Sequence, residues 1–291
     1  MGKRGARRQE SAPAPLAWDR KGNWIRVAMV AMLVALSLFP LYFLAVTSLK
    51  TQGETLTAPL APPMNGLHFE NWATVLPEVA TAMWNSTVIC VITTALVVVF
   101  VTPCAYVFCW HRFPGKQKLY ALAVTMISMP AILTFVPQFI LVKNLGLLNN
   151  RWGMILIYTA GGMAISLLLL RSFLQTVPTE VIESARIDGA SELRILLQIV
   201  VPLAVPSLIT VAVINFSGVW NAFMLPLVLL SRESQRVATV AATFYGANPY
   251  FQQNVPLMMS AYLVSSAPLI ITMALLLRYF MAGATQGALK G

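Results

Sequence analysis

Trp84-Asn-Ser-Thr-Val-Ile-Cys-Val-Ile-Thr-Thr-Ala-Leu-Val-Val-Val-Phe-Val-Thr-Pro-Cys-Ala-Tyr-Val-Phe-Cys-Trp110 contains no Asp, Glu, Lys, Arg or His. A helix needs about 20 apolar residues to cross the hydrocarbon of a bilayer, and this stretch exceeds that. Inside lipid every backbone N–H and C=O must find its partner within the segment, so the stretch has to be helical. Tryptophans at both ends stand where aromatic side chains gather at membrane–water interfaces. Five further runs of this kind lie on either side of it, at residues 25–47, 119–142, 153–170, 203–230 and 257–277. Arg171, Arg232 and Arg278 stop three of them. The alternating segments of about ten residues that make barrel strands are absent. The fold class is therefore an all-α polytopic membrane protein with six transmembrane helices.

Composition agrees. Of 291 residues, 58% are apolar and 10% charged, with a mean hydropathy of +0.73. A soluble domain carries about 25% charged residues, and a chain this poor in charge needs lipid to cover its surface. The net charge of +10 raises a nucleic-acid reading, but the cations fall in clusters between apolar runs rather than in one stripe, so no nucleic-acid partner is expected. Lys and Arg accumulate on the cytoplasmic side of membrane proteins. With the N-terminus inside, 15 of the 20 cations lie inside, and Lys50, Lys143, Arg151, Arg232 and Arg236 lie outside. The expected topology is N-in and C-in, with a disordered extension at 1–24, a transmembrane domain at 25–281 and a tail at 282–291. The first apolar run is too long for a signal peptide and lacks a clear cleavage site.

Little in the chain suggests catalysis. Cys90, Cys104 and Cys109 show no CxxC spacing and read as small apolar fillers, so no metal site is expected. His68 and His111 fall on opposite sides of the membrane, so a membrane-embedded enzyme, which needs converging acid–base or metal-ligand groups, lacks its residues. The spans carry almost no ionisable residue at mid-depth, against a proton relay. A self-contained secondary carrier would show internal repeats and midplane binding groups, and neither is clear; transport by the purified chain without ATP would favour it. No GxxxxGK[ST] is present, so energy for uphill transport has to come from another chain. Pro40, Pro103, Pro130, Pro137, Pro226 and Pro268 lie within spans and favour kinks, either tolerated structurally or letting helices splay around a pathway.

The loop at 177–200 differs from the others. Thr179 is an N-cap candidate after Pro178, and Glu180 and Glu183 favour the positive end of a helix. The pattern predicts a short helix to about Asp188, positive φ at Gly189, and a second short helix capped by Ser191 and reaching toward Ile199. Glu183, Ile187 and Ala190 share a face by three- and four-residue spacing. From these residues alone, the helix pair is either a surface loop or a face that docks in a partner's groove.

Glu183-Ser-Ala-Arg-Ile-Asp-Gly-Ala190, followed by Ile199-Val-Val-Pro202, resembles the EAA loop of ABC importer permeases: EAA, three residues, Gly, then about nine residues to I-x-x-P. Glu183, Ala185, Gly189, Ile199 and Pro202 match in register, and Ser184 stands where the pattern has its middle alanine. Ala105-Tyr106, Arg112-Phe-Pro-Gly-Lys116, Gly146-Leu-Leu148, Trp220-Asn-Ala-Phe223 and the end Gly283-Ala-Thr-Gln-Gly-Ala-Leu-Lys-Gly291 resemble the carbohydrate branch, in particular its smaller, maltose-type permease subunit. The resemblance covers about residues 25–291.

The resemblance implies a bacterial or archaeal cytoplasmic-membrane subunit that forms half of a sugar pathway. Its partners would be a second, larger permease, an ATPase dimer that binds ATP and Mg, and an extracytoplasmic solute-binding protein. This chain itself would bind no cofactor. Glu183, Ser184, Ala185, Ile187, Asp188, Gly189, Ala190 and Pro202 would form the coupling element seated in the ATPase: Glu183 would meet a basic group, Ala185 would permit close approach, Gly189 would make the bend and Asp188 would orient the loop. Gln286, Gly287, Lys290 and Gly291 would reach the ATPase from the tail. Trp220, Asn221 and Phe223 are candidates for the substrate path, with Asn221 the polar group inside the fifth span. Tyr245, Asn248, Tyr250 and Gln252 are candidates for contact with the binding protein. Close relatives also handle glycerol-phosphate-type and acidic sugar ligands; spans without mid-depth cations favour a neutral sugar.

Overall fold

The computed structural model describes the backbone of residues 20–247 and 254–288, and the side chains of residues 24–244 and 254–276. The segment at 1–19, most of the expected disordered extension, lies outside the described residues.

The helix that contains the quoted stretch sets the architecture. It runs from Glu70 to Trp110 (41 residues) and reaches well beyond the apolar run at its N-terminal end. Chain order gives α1 Arg20–Ser48, α2 Gln52–Thr57, this helix as α3, α4 Lys116–Ile127, α5 Ala131–Asn144, α6 Arg151–Leu174, α7 Thr179–Ile187, α8 Glu192–Ile195, α9 Val201–Trp220, α10 Met224–Leu229, α11 Ala238–Ala247 and α12 Val255–Ala288. Along α3 the buried positions include Val75, Val79, Ala82, Ile89, Val97, Val101 and Ala105, joined by Ser86 and Thr93, with Asn85, Cys90, Thr102 and Tyr106 beside them. That three- and four-residue spacing is one face of a helix, hidden in a run that is apolar all round. α3 packs on α6, α9 and α12, and α6 and α12 also meet α9. On the opposite face Val91, Val99 and Phe100 are exposed. Over most of its length α1 stands away from the bundle, and from Trp24 to Tyr42 every side chain is exposed.

Five helices are long and apolar enough to cross a membrane, or six if a bent pair counts as one span. That pair is α4 and α5, which meet at 99°. The third expected span is thus broken rather than straight. Pro130 causes this: it offers no N–H to the ladder and pushes Met129 out of the helical region. The fifth expected span is displaced. α8, a π-helical turn at Leu196–Val200 and α9 form one unbroken rod from Glu192 to Trp220. The second short helix of the loop is therefore the start of this span, not a separate piece. The widened turn precedes Pro202, whose ring would crowd the carbonyl four residues back at Gln198; π geometry relieves that conflict.

At the end of the bundle that carries α2, a clasp ties α1 to α3 and α12. Thr51 and Glu54 cap α2 reciprocally. The buried Glu54 also accepts from Met64 N–H at 2.9 Å and Asn65 N–H at 2.8 Å. Lys50, 1% exposed, donates its Nζ to the carbonyls of Ala58 and Pro59 at 2.8 and 3.1 Å. Asn71 on α3 donates to the carbonyls of Ser48 and Lys50, and Ser260 on α12 donates to that of Ser48. The Glu54 carboxyl is held below its ordinary pKa by the backbone N–H groups of Thr51, Asn65 and Met64.

Candidate coupling elbow and substrate path

The chain turns sharply at the other end of the bundle. Pro178, not Thr179, is the cap residue of α7; Thr179 is already helical and makes no side-chain cap. Asp188 closes the helix and Gly189 takes φ +79°, as expected. Gly189 N–H donates to Arg186 C=O at 3.1 Å and Ala190 N–H to Ala185 C=O at 3.0 Å. This is the Schellman pattern, which needs a left-handed residue after the cap. Ser191 then accepts from Arg194 N–H and starts the rod of α8 and α9. Two faces result. Ile182 and Ala185 are buried among Tyr106, Leu174, Ile195 and Val200. Glu183, Ser184, Asp188 and Ile187 are exposed, Ile187 at 85%.

Ala185 turns inward to the chain's own core, so its small size brings α7 close to that core. Ala190 is half-buried, and Pro202 is exposed about three turns up the rod. The remaining links centre on Glu192. Arg186 donates Nε to Oε1 at 2.9 Å and a terminal nitrogen to Oε2 at 3.3 Å. The Tyr106 hydroxyl donates to Oε2, and His111 Nε2 lies 3.3 Å from it. One carboxylate thus joins the end of α3 to α7 and α8. Sequence reading placed Glu192 in the loop without finding this joint. Tyr106 and Glu192 are 86 residues apart, and no local pattern links them.

The Trp220–Phe223 segment is where the rod of α9 ends. Trp220 is buried and stacked on Phe216 at 5.7 Å. Phe223 is half-buried. Asn221 caps the helix instead of lying within a span; it is exposed and donates its amide to Ser217 C=O. The buried amide on α9 is Asn215, overlooked in the sequence although it interrupts a purely apolar stretch. Its Nδ2 donates to Ser166 Oγ on α6 at 2.8 Å and to Val211 C=O at 2.9 Å. Gly162 on α6 faces it closely enough that an added Cβ would lie 2.2 Å from Asn215 Oδ1. A buried amide of this kind fixes how two membrane helices meet. In the angle of α4, α5 and α6 lies a cavity of about 580 Å³ with Thr134 and Gln138 as its polar side chains and no charged residue in its lining.

The structure brings the elbow residues together, whereas Trp220, Asn221 and Phe223 lie apart from them, at the far end of α9. Tyr245 belongs to α11 by its backbone, while Asn248, Tyr250 and Gln252 lie outside the described residues. Gln286 and Gly287 fall in the last turns of α12, which continues to Ala288, so the expected tail begins as helix; Lys290 and Gly291 lie outside the described residues. Among the described residues no group of His, Cys, Asp and Glu could hold a metal.

The model of the binding-protein-dependent transport system inner membrane component family matches residues 16–285. The diacetylchitobiose uptake system permease protein NgcG of Streptomyces coelicolor is 30% identical over 281 residues, covering 96% of this chain and 93% of that protein. The melibiose/raffinose/stachyose import permease protein MelC of Bacillus subtilis is 30% identical over 268 residues, covering 91% and 96%. The trehalose transport system permease protein SugB of Mycobacterium tuberculosis is 28% identical over 262 residues, covering 89% and 95%. A crystal structure of a bacterial ABC transporter involved in the import of the acidic polysaccharide alginate has a chain with the same fold: TM-score 0.78, 21% identity, 92% of this chain and all of that one. With spans, elbow and relatives in agreement, this chain belongs to the binding-protein-dependent transport system inner membrane components, the multi-pass permease subunits of ABC importers in the cytoplasmic membrane.

Proposed function

We propose that the chain forms half of the translocation pathway for a neutral sugar or oligosaccharide, delivered by an extracytoplasmic binding protein and driven by a separate ATPase dimer. The elbow carries this reading. α7 is clamped inward by Ile182, Ala185 and the Glu192 joint, while Glu183, Asp188 and Ile187 stand exposed at the tip. A partner that grips the tip moves α3 and α9 with it, because α7 is fixed to both. In this reading both termini are cytoplasmic, the 177–200 loop meets the ATPase, and ATP and Mg stay in that partner. A second, different permease completes the pathway. The segment that includes Tyr245 to Gln252 faces the binding protein. The sugar assignment rests on the named uptake systems of the relatives, and neutrality rests on a cavity lining without charge.

Extraction in mild detergent of the chain tagged at its N-terminus, expressed with its genomic neighbours, tests this reading. An ATPase and a second permease should co-purify, and the binding protein identified with them should bind a neutral sugar. A well-folded chain recovered alone across several detergents would overturn it. Gly189→Asp puts a Cβ at φ +79° and a charge on the tip; uptake should fall more than about tenfold while ATP hydrolysis and membrane insertion persist.

A further inference from the structure

A second site lies where α3 and α6 end and α4 begins, at the membrane–water boundary. A cavity of about 530 Å³ there is lined by Cys109, Lys116, Gln117, Tyr120, Arg171 and Gln175, among others, and no carboxylate lines it. Arg171 rises from the last turn of α6, and its guanidinium lies 4.0 Å over the ring of Tyr120. Its Nε is buried with no hydrogen-bond partner, and among the described residues no carboxylate pairs with it. Lys116 donates Nζ to His111 C=O at 2.9 Å and to Cys109 C=O at 3.4 Å. An ammonium has three protons, so one stays free. Lys116 and Gln117 open α4, whose first turn has no acid and whose N-terminal amides favour an anion.

These groups share a demand. A partly buried guanidinium that meets an aromatic face and leaves its buried Nε–H unmatched is costly without a hydrogen-bonded counterion. The fixed fork of an arginine suits two oxygens of one phosphate, and a lysine beside it supplies a point charge. The two amides extend the donor set. The elbow and the substrate path use none of these side chains.

We infer that this cavity binds a phosphate group at the membrane boundary through Arg171 and Lys116, with Gln117 and Gln175 beside them. Its place at the ends of two spans and the start of a third fits the headgroup of an anionic phospholipid; inorganic phosphate has the same chemistry, and the test separates the two. Basic pockets between membrane helices are built this way for lipid headgroups.

Native mass spectrometry of the full chain in detergent, with phosphatidylglycerol or phosphatidylcholine added at equal concentration, counts the lipids retained. Phosphatidylglycerol should be retained preferentially, with one tightly held molecule per chain. The double variant Lys116→Gln/Arg171→Gln should weaken that retention by roughly tenfold or more and leave phosphatidylcholine unchanged. Arg171→Lys should keep part of it, and Arg112→Gln, an exposed cation of the same loop, should keep all of it. If the double variant does not fold, each single Gln variant gives the same readout on its own. Inorganic phosphate is titrated alone by calorimetry. Saturable heat that the double variant loses, with no preference between the lipids, assigns the site to soluble phosphate. No lipid preference and no phosphate heat, or variants that retain phosphatidylglycerol like the parent chain, overturns the inference.

Discussion

Each end of the bundle holds a glutamate in a fixed place, and the two are held differently. In the α2 clasp, Glu54 is buried and accepts from the backbone N–H groups of Thr51, Met64 and Asn65. At the α7 elbow, Glu192 is half-exposed and accepts from the side chains of Tyr106 on α3 and Arg186 on α7, with His111 Nε2, just after α3, 3.3 Å away. Backbone donors fix one local loop shape. Side-chain donors from separate elements make a joint between those elements, which can be undone one residue at a time. The clasp fixes a loop, and under the proposed function the elbow is the part that moves.

The largest expected effect tests that division. Gly189→Asp should abolish most uptake while hydrogen exchange at Met64 and Asn65 stays as in the parent chain; faster exchange in the clasp would show that the two ends are not independent. Next is the seam between them. Gly162→Ala places a methyl against Asn215 Oδ1, and the Asn215 amide is held by two hydrogen bonds, so it has little room to give. A loss of about 1–3 kcal/mol is expected, measured by thermal unfolding in detergent. The double variant Gly162→Ala/Asn215→Ala should recover part of it.

Smaller again is Glu192→Gln, which keeps the shape and removes the charge. Stability should change by under about 1 kcal/mol because the group is half-exposed, whereas sugar imported per ATP hydrolysed should drop severalfold. An unchanged ratio would make the joint purely structural. The mildest test is pH on the clasp. The folded form favours the Glu54 carboxylate, so its contribution is complete above the ordinary value of 4.5 and is lost as pH falls through the lowered folded value. Exchange at Met64 and Asn65, corrected for intrinsic rates, should be flat from neutral pH to about 4.5 and rise only below it.

Membrane character and the elbow were legible in the sequence because both are local. An uncharged run longer than a bilayer is thick admits one structure, and Gly189 followed by Ser191 specifies a turn and a new helix start within three residues. Which proline breaks a span was not legible. Pro103, Pro137 and Pro268 stay inside helices while Pro130 ends one, and the outcome depends on whether neighbouring helices satisfy the freed carbonyl. Asn215 and Asn221 are alike in composition, yet one is sealed between α6 and α9 and the other caps a helix end. Sequence did not separate them, because only packing decides which amide is deprived of water. The Glu192 joint was hidden for a related reason: its donors meet only after α3 and α7 have been brought together.

A photoreactive residue at position 187, the most exposed apolar side chain of the elbow, tests the central claim most directly. Irradiation of the assembled importer in native membranes should attach this chain to the ATPase, and the yield should change when ATP is trapped. Attachment to lipid alone, or to no other protein in either nucleotide state, would contradict the assignment of the elbow as the coupling element.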